Sequence, residues 1–318
     1  ALLRRGSQMY AGGAFVTIGG LARQRLALLD TTTGAAAPAF DAPADDVVHA
    51  LALGSQAGAP LLFAGGEFTN IGGRLRLHLA SLDANTGAVT DWHPAFNDTV
   101  RTVATSPLPD APGGPGTLVA AGGDFDAFGA VARRNLAAVN LETGEVLPWR
   151  PAPDGTVRAL DARGGALYVG GDFTNIGGED RNYIAAIDAD SGEAIDWDPD
   201  ADSTVNALAV SPDGATVYAG GWFDGISGSW HTNIAAIDAD SGEVDPDWIP
   251  EPDNYVRSLA VSADGDTVYA SGAFTEVGDQ ERDHIAAIDA DSGEATEWDP
   301  GADGDVFAFA VSGDTVYA

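Results

Sequence analysis

Residues 170–199 read GGDFTNIGGEDRNYIAAIDADSGEAIDWDP, and variants of this stretch recur along the whole chain. The second Gly of each opening pair follows the previous one by 48 to 57 residues, at Gly13, Gly66, Gly123, Gly171, Gly221 and Gly272. A repeat of about 50 residues is typical of propellers and arrays, whose units bury their apolar faces only against neighbouring units. The period therefore predicts one repeating architecture for all 318 residues.

Each period contains four short apolar segments separated by turn residues, which we call strands A to D. In the period that spans 205–248, these segments read VNALAV, TVYAG, NIAAID and VDPDW. No segment reaches the roughly ten residues that a helix needs. Four antiparallel strands make one propeller blade. The predicted fold class is therefore all-β, a β-propeller of four-stranded antiparallel, kelch-like blades.

The chain begins and ends at the same phase of its repeat, because residues 1–11 align without a gap on residues 308–318. We therefore expect six full repeats plus half of a seventh, taken from a six- or seven-bladed parent. The predicted organisation is a single β-propeller domain over 1–318 that starts and ends within a repeat. A Pro/Gly-rich insertion at 106–116 cannot extend a strand and is expected to form a solvent loop.

Acidic residues dominate the charge of the chain: 48 Asp and Glu face 15 basic residues, all Arg, for a net charge of −33. Such a surface repels itself at low ionic strength, which favours a halophilic source, although a GC-rich genome also enriches Asp and Arg. The same field repels nucleic acid and anionic membranes, so neither a nucleic-acid partner nor membrane insertion is expected. The absence of Cys excludes disulfides and thiolate chemistry.

The unit GGxFTxxGGxxR, followed by IAAIDxxTG, WxP and VxALAV, resembles the delta-60 repeat family of β-propellers over the whole chain. That family is mostly bacterial or archaeal and often exported, which implies an extracellular or cell-surface location without a common activity. Residues 186–197 also resemble the Trp-docking motif of quinoprotein propellers, with one extra residue before Trp197 and no vicinal Cys. The matching aromatic positions are Phe15, Phe68, Phe125, Phe173, Phe223 and Phe274, with Trp92, Trp149, Trp197, Trp248 and Trp298. The Trp residues of strand D are expected to pack between blades.

An Asp-x-Asp-x-Gly pattern follows strand C at 188–192, 238–242 and 289–293. Alternating oxygens of this kind begin a calcium loop, but these loops are too short to supply six to eight ligands. A hairpin with an Asx side chain and a Gly at positive φ explains the same pattern. We therefore predict no cofactor, with Ca²⁺ as the alternative.

A basic residue recurs ten positions after the second Gly, at Arg23, Arg76, Arg133, Arg181 and Arg282, with His231 in the fifth repeat. A ring of guanidinium groups could bind an anion. The structural alternative is that each Arg holds its loop by pairing with a nearby acid or carbonyl. Asp202, Asp253 and Asp303 are the acids expected to serve as partners.

Variable polar residues mark the candidate ligand site. The residue after the first Val of strand A varies among His, Arg, Asn and Phe, and strand A is the innermost strand of a blade, so these residues are expected around a central channel. The loop between strands B and C of the fifth repeat adds two Trp, which are costly to expose. Channel lining and local packing in place of the missing Arg are the alternatives. The predicted ligand-binding residues are Trp222, Trp230, His231, Arg101, Arg158 and Arg257, with His49, Asn206 and Phe307 at corresponding positions.

The function predicted from these features is a non-enzymatic binding or scaffold module of an exported or cell-surface protein. Its partner is a protein or a glycan, held on the face that carries the B–C and D–A loops. No catalytic or metal residues are predicted, because the five His show no metal spacing and no Gly-x-Ser-x-Gly elbow occurs. The alternative is an exported hydrolase or lyase with its site at the channel mouth, for which a single cleft of converging carboxylates would be the evidence.

Overall fold

A computed structural model describes residues 1–108, 116–313 and 315–318 of the chain. The described residues form two compact units, Ala1–Ala152 with Asp190–Gly192 and Pro153–Ala189 with Glu193–Ala318. Their regular structure consists of β-strands alone, which confirms the all-β prediction. The prediction that residues 106–116 extend no strand is wrong at both ends, because residues 106–108 pair with residues 116–118 as continuations of strands A and B. Residues 109–115 of this segment lie outside the described residues. Within the part of the chain that is described, no helix is long and apolar enough to span a membrane.

The first unit contains three blades, each built on a three-stranded antiparallel sheet in the order A, B, C. A two-stranded hairpin lies between strands B and C of every blade. The strands are β1 (Leu2–Arg5), β2 (Gln8–Gly12), β3 (Thr17–Ile18), β4 (Leu21–Ala22) and β5 (Leu26–Asp30) in blade 1; β6 (Val48–Gln56), β7 (Ala59–Gly66), β8 (Asn70–Ile71), β9 (Arg74–Leu75) and β10 (Leu79–Asp83) in blade 2; β11 (Val100–Leu108), β12 (Gly116–Gly123), β13 (Ala127–Phe128), β14 (Val131–Ala132) and β15 (Leu136–Asn140) in blade 3.

The second unit repeats this plan in three more blades and ends on an A–B hairpin. Its strands are β16 (Val157–Arg163), β17 (Ala166–Gly171), β18 (Asn175–Ile176), β19 (Glu179–Asp180) and β20 (Ile184–Asp188) in blade 4; β21 (Val205–Val210), β22 (Thr216–Gly221), β23 (Gly225–Ile226), β24 (Ser229–Trp230) and β25 (Ile234–Asp238) in blade 5; β26 (Val256–Val261), β27 (Thr267–Gly272), β28 (Glu276–Val277), β29 (Gln280–Glu281) and β30 (Ile285–Asp289) in blade 6; and β31 (Ala310–Ser312) with β32 (Thr315–Tyr317) after it.

Strand D is much shorter than the sequence predicts. It pairs with strand C through one isolated bridge in each blade, such as Ile187 with Ala194 and Ile237 with Val244. Asp and Pro residues follow this bridge in blades 4 to 6, and both residue types are poorly suited to a strand. The blades therefore keep four segments, of which three form the hydrogen-bonded sheet.

The Trp of strand D packs between neighbouring blades, as predicted. The Trp197 ring lies 5.1 Å from the Tyr168 ring of its own blade. Its Nε1 donates a hydrogen bond of 2.9 Å to the carbonyl oxygen of Asp238, at the end of strand C in the next blade. Trp248 repeats this contact with the carbonyl of Asp289 at 3.1 Å. Each of these indoles therefore joins one blade to the blade that follows it.

The D–A connection and the B–C hairpin meet on one face of each blade, which we call the loop face. In blade 4, Asp154 of the D–A connection accepts hydrogen bonds from the backbone N–H groups of Thr174 and Asn175 at 2.7 and 3.0 Å. A backbone bridge between Ala201 and Ile226 makes the equivalent junction in blade 5. The hairpin itself turns at Gly177 and Gly178, both at positive φ, as a two-residue hairpin turn requires.

Candidate functional site

Strand A carries a β-bulge in blades 2 to 6, at the position that the sequence singles out. In blade 4 the register of strands A and B shifts between Val157 and Ala159, so Arg158 has no partner in strand B. A bulge redirects a side chain away from the alternation of its strand. The same shift occurs at His49, Arg101, Asn206 and Arg257. One side chain per blade is thus presented at the loop-face end of strand A.

The second Gly of the repeat makes this bulge possible. A Cβ atom on Gly171 would lie 2.1 Å from the carbonyl oxygen of Thr156, so only Gly allows the two strands to approach this closely. The next residue, Asp172, then donates its backbone N–H to the same carbonyl at 2.9 Å. This bond places the residue that follows the Gly pair beside the bulged residue of strand A.

In blades 2 to 4 these two residues contact each other, and in blades 3 and 4 they form an ion pair. Arg158 donates from Nε and NH2 to the two carboxylate oxygens of Asp172 at 2.9 and 2.8 Å, a bidentate arrangement. Arg101 makes the equivalent pair with Asp124 at 2.7 Å. In blade 2, His49 Nε2 lies 2.8 Å from Glu67 Oε1. The bulged basic side chains of these blades are therefore matched by acids of the same blade.

Blades 5 and 6 break this pattern. The positions of the acid are taken by Trp222 and Ala273, and the bulged residue of blade 5 is Asn206. Asn206 donates to the carbonyl of Val256 at 3.3 Å. Arg257, the bulged residue of blade 6, consequently has no acid directly after Gly272 of its own blade.

Arg257 lies between two aromatic rings instead. Its Cζ atom is 5.4 Å from the centroid of Tyr255 and 4.7 Å from that of Phe307, within cation–π range. Trp222 stacks on Tyr255 with ring centroids 4.0 Å apart and 17° between planes. The exposed fractions of Trp222 and Phe307 are 54% and 68%. We call Trp222, Tyr255, Arg257 and Phe307 the aromatic–arginine patch.

Asp305 orients the patch. The Tyr255 hydroxyl donates to Asp305 Oδ2 at 3.1 Å and accepts a hydrogen bond from Arg257 NH2 at 3.1 Å. Arg257 NH2 itself lies 3.9 Å from Asp305 Oδ2. His284 Nδ1 lies 3.8 Å from Asp305 Oδ1 and 3.2 Å from the carbonyl of Gly272. Because His78 of blade 2 makes the same carbonyl contact at 3.2 Å, His284 serves its loop and not a dyad with Asp305.

The structure separates the other predicted residues of the fifth repeat. Trp230 lies in strand β24 with an exposed fraction of 69%, in the wall of an open cleft of about 710 Å³ that also contains Asp200 and Asp202. His231 is buried, and its Nε2 lies 3.1 Å from the carbonyl of Asp245. His231 therefore takes the place of the missing Arg, which means that Trp230 does not fill that space.

The recurring Arg residues hold strand D to the B–C hairpin through carbonyl groups. Arg133 NH2 donates to the carbonyl of Leu147 at 2.8 Å, and Arg181 NH2 donates to that of Ile195 at 3.4 Å. These bonds support the structural alternative over an anion-binding ring.

The acids expected to pair with these Arg residues were wrongly assigned. Asp202 and Asp253 accept hydrogen bonds from backbone N–H groups of Asp224 and Thr275, at 3.0 and 2.7 Å. Arg282 lies 4.0 Å from Asp299, the residue after the strand D Trp, rather than pairing with Asp303. A carboxylate that faces free N–H groups in the hairpin is better satisfied there than by a guanidinium already bonded to carbonyls.

The Asp-x-Asp-x-Gly segments are Asx turns. Asp238 Oδ1 accepts hydrogen bonds from the backbone N–H groups of Ser241 and Asp240 at 2.7 and 3.1 Å, with Gly242 at positive φ. The hydrogen bonds from Ser241 lower the pKa of Asp238. Among the described residues, no group of three or more His, Asp or Glu is arranged to hold a metal ion. The absence of a cofactor, with Ca²⁺ as the alternative, stays a prediction.

The family described as outer membrane protein assembly factor BamB matches this chain over residues 8–244 and 78–318. The chain belongs to this family. The BamB family is a family of β-propeller repeat proteins, which confirms the predicted fold class. Resemblance to the delta-60 repeats in particular stays a prediction.

A solved structure supports the fold alone. The crystal structure of the computationally designed Ika8 protein is similar with a TM-score of 0.59 and 17% sequence identity, over 99% of this chain and 78% of the designed one. No curated protein sequence matches this chain.

Sequence reasoning named Trp222 and Arg257 but missed that they belong together with Tyr255 and Phe307. A signal for this was present in the sequence. The residue after the Gly pair is Glu67, Asp124 and Asp172 where the bulged residue of strand A is His or Arg. Comparing these two positions repeat by repeat would have shown that Arg257 stands opposite Ala273.

Proposed function

We propose that this protein is a non-enzymatic binding or scaffold module of an exported or cell-surface protein, and that its aromatic–arginine patch anchors a protein partner. One observation carries the proposal: the acid that follows the Gly pair and contacts the bulged residue in blades 2 to 4 is missing from blade 6, where exposed rings flank Arg257. The BamB family description names an assembly factor, which is a role that requires contact with other chains.

The composition of the patch is that of an interface anchor. Trp, Tyr and Arg are enriched among residues that dominate binding energy, and they act best where water is excluded around them. Burial of exposed apolar surface contributes about 25 cal/mol per Å², so the rings of Trp222 and Phe307 offer a large gain. Stacking on Tyr255 and the bond to Asp305 already fix the ring positions, which reduces the entropy lost on binding.

Charge adds a constraint on the partner. A net charge of −33 attracts a basic protein over long range and repels an acidic one. Within the patch, Arg257 can donate to a carbonyl or carboxylate while the rings receive an apolar side chain. A glycan is less favoured, because one face of Trp222 is covered by Tyr255 and is closed to a sugar ring.

A hydrolase or lyase has weaker support. The carboxylates after the Gly pairs of blades 2 to 4 are each bonded to a basic side chain of the same blade, as Asp172 is to Arg158. A general acid or base needs a carboxylate that can face a substrate, and these carboxylates are already occupied by basic side chains.

The test uses a substitution that the other blades suggest. Ala273→Asp restores the acid beside Arg257, as Asp172 stands beside Arg158, and is expected to draw the guanidinium out from between the rings. The partner is first captured from an extract of the source organism and purified, and its Kd is then measured with each variant. Ala273→Asp and Trp222→Ala are expected to weaken binding tenfold or more, with melting temperatures close to that of the unaltered protein.

Trp230→Ala is the matched control, since Trp230 is more exposed than Trp222, at 69% against 54%, but lies outside the patch. Its Kd is expected to stay within twofold of the original value. Equal affinity of all variants would overturn the assignment of the patch. Recovery of a glycan as the tightly bound species would overturn the choice of a protein partner.

A further inference from the structure

An open cleft of about 610 Å³ in blade 3 has walls that carry three Arg side chains, Arg133, Arg134 and Arg150. The chain has only 15 Arg, against 48 acidic residues. Three Arg in one cleft therefore make a locally basic site in a strongly acidic protein. Asp126 also lines the cleft, where its backbone N–H donates to Asn97 Oδ1 at 3.1 Å and its Oδ1 accepts from Asn97 Nδ2. The remaining lining is largely small and apolar.

The other blades show what blade 3 has lost. In blades 1, 4 and 6 the residue after the strand D aromatic is Asp, and it faces the recurring Arg of the same blade. These pairs are Arg23 with Asp41 at 3.8 Å, Arg181 with Asp198 at 3.4 Å and Arg282 with Asp299 at 4.0 Å. In blade 3 the corresponding residue is Arg150. A positive charge therefore stands where blades 1, 4 and 6 supply a negative one, whereas blades 2 and 5 have His93 and Ile249 there.

The guanidinium of Arg133 is fixed in the floor of this cleft. Its exposed fraction is 5%, and NH1 and NH2 donate to the carbonyls of Ala132 and Leu147, each at 2.8 Å. Its Nε is buried with no hydrogen-bond partner. Burial lowers the pKa of Arg133, and the like charge of Arg150 lowers it further. The charge of Arg133 is therefore uncompensated by an acid.

Arg134 and Arg150 are exposed at the rim of the cleft. Within the described ranges, the side chain of neither residue makes a hydrogen bond or an ion pair. Each carries five N–H donors in a planar fork that fits a tetrahedral or planar oxyanion through two parallel bonds. Two such forks above a third buried charge make a receptor for a group with at least two oxygens.

We infer that this cleft binds an oxyanion, a phosphate, sulfate or carboxylate group, between Arg134 and Arg150 and above Arg133. The bound anion offsets the repulsion between Arg133 and Arg150, as an Asp offsets the charge of the recurring Arg in blades 1, 4 and 6. The net charge of −33 opposes approach from a distance, but at physiological ionic strength that field is screened beyond about 8 Å. This site is independent of the aromatic–arginine patch, whose residues belong to the second unit.

The test compares Arg150→Asp, which gives blade 3 the ion pair of blades 4 and 6, with the control Arg163→Asp. Arg163 is an exposed Arg at the end of strand β16, so both variants change the net charge equally. Isothermal titration with inorganic phosphate, sulfate or acetate, against sodium chloride of equal ionic strength, is expected to give one site of millimolar affinity or tighter for at least one of these anions in the unaltered protein.

Arg150→Asp is expected to weaken that site tenfold or more and to keep or raise the melting temperature, because Arg133 gains an acid. Arg163→Asp is expected to bind phosphate within twofold of the unaltered protein. A sugar phosphate and vesicles that contain an anionic phospholipid identify the source of the group: whichever of them requires Arg150 is the form that the cleft recognises. Equal binding by Arg150→Asp, or no binding of phosphate, sulfate or acetate by the unaltered protein, would overturn the inference.

Discussion

Substitution of Trp197 by Phe tests the contact that joins blade 4 to blade 5. The Trp197 side chain is fully buried against Tyr168, and its Nε1 reaches the Asp238 carbonyl at 2.9 Å. Phe keeps a ring in the same place but cannot donate a hydrogen bond. Blade 1 shows that Phe is sterically acceptable, since Phe40 is buried at the corresponding position.

The loss expected from Trp197→Phe is about 2 kcal/mol of unfolding free energy. The hydrogen bond contributes about 1 kcal/mol, and not the larger cost of an orphaned carbonyl, because Asp238 O still accepts from the Gly242 N–H at 3.0 Å. The smaller ring leaves a cavity that adds about 1 kcal/mol. Trp298→Phe is the control: Trp298 packs on Tyr269 at 5.6 Å but is only half-buried, so its loss should stay below about 1 kcal/mol.

Urea unfolding followed by far-ultraviolet circular dichroism measures both losses without relying on the fluorescence of the altered Trp. Trp197→Phe is expected to lower the midpoint clearly more than Trp298→Phe does. Equal midpoints for the two variants would show that the indole N–H does not hold the blades together, and the reasoning from this bond would be refuted.

Three further predictions concern charge. Raising NaCl from about 0.1 M to above 1 M shortens the Debye length from about 10 to 3 Å, so the melting temperature should rise, and a flat or falling curve would contradict the halophilic interpretation. The hydrogen bonds from Ser241 lower the pKa of Asp238 in the folded state, so this group stabilises the fold above its unfolded pKa of about 4. That stability should be lost as pH falls through the folded pKa. Asp238→Asn removes the titrating group, so its melting temperature should fall less steeply at acid pH than that of the unaltered protein. Asn is structurally acceptable there, because Asn140 Oδ1 accepts the equivalent backbone hydrogen bond in blade 3. Burial raises the pKa of Asp161, whose Oδ2 accepts from the Val210 N–H at 2.9 Å, so ionisation of Asp161 costs stability as pH rises through its folded pKa. Asp161→Asn keeps the acceptor and should melt higher than the unaltered protein at neutral pH, and a lower melting temperature there would show that the charge is compensated.

Local patterns made the blade predictable. The Gly pair, the IAAID strand and the Trp each depend on contacts within one repeat or with the next, and the repeat preserves them. The shortness of strand D could not be predicted from the sequence. Its pairing with strand C stops after one bridge, at Ala194 or Val244, because the Asp and Pro residues that follow do not continue the ladder of hydrogen bonds. Strand boundaries are settled by such competition between local preferences and pairing.

The bulge and the patch were harder to predict for a different reason. A bulge adds one residue to strand A without disturbing the apolar spacing on either side, so the sequence of VRALDAR still reads as a regular strand. The patch joins Trp222 of one repeat to Phe307, which lies almost two periods further along the chain. Their meeting depends on the stacking of blades and not on any spacing within one of them.

The bulge also frees one position per blade from the rules of strand pairing. The backbone at Arg158 is held by its neighbours, so imidazole, guanidinium and amide groups can occupy equivalent positions in other blades with no change of register. In a repeat protein, the packing between units requires the repeats to keep similar sequences, whereas a specific binding surface requires them to differ. Here these two demands fall on different residues. The side chain presented at the loop face can therefore be substituted in one blade without changing the strands of that blade or the packing of its neighbours.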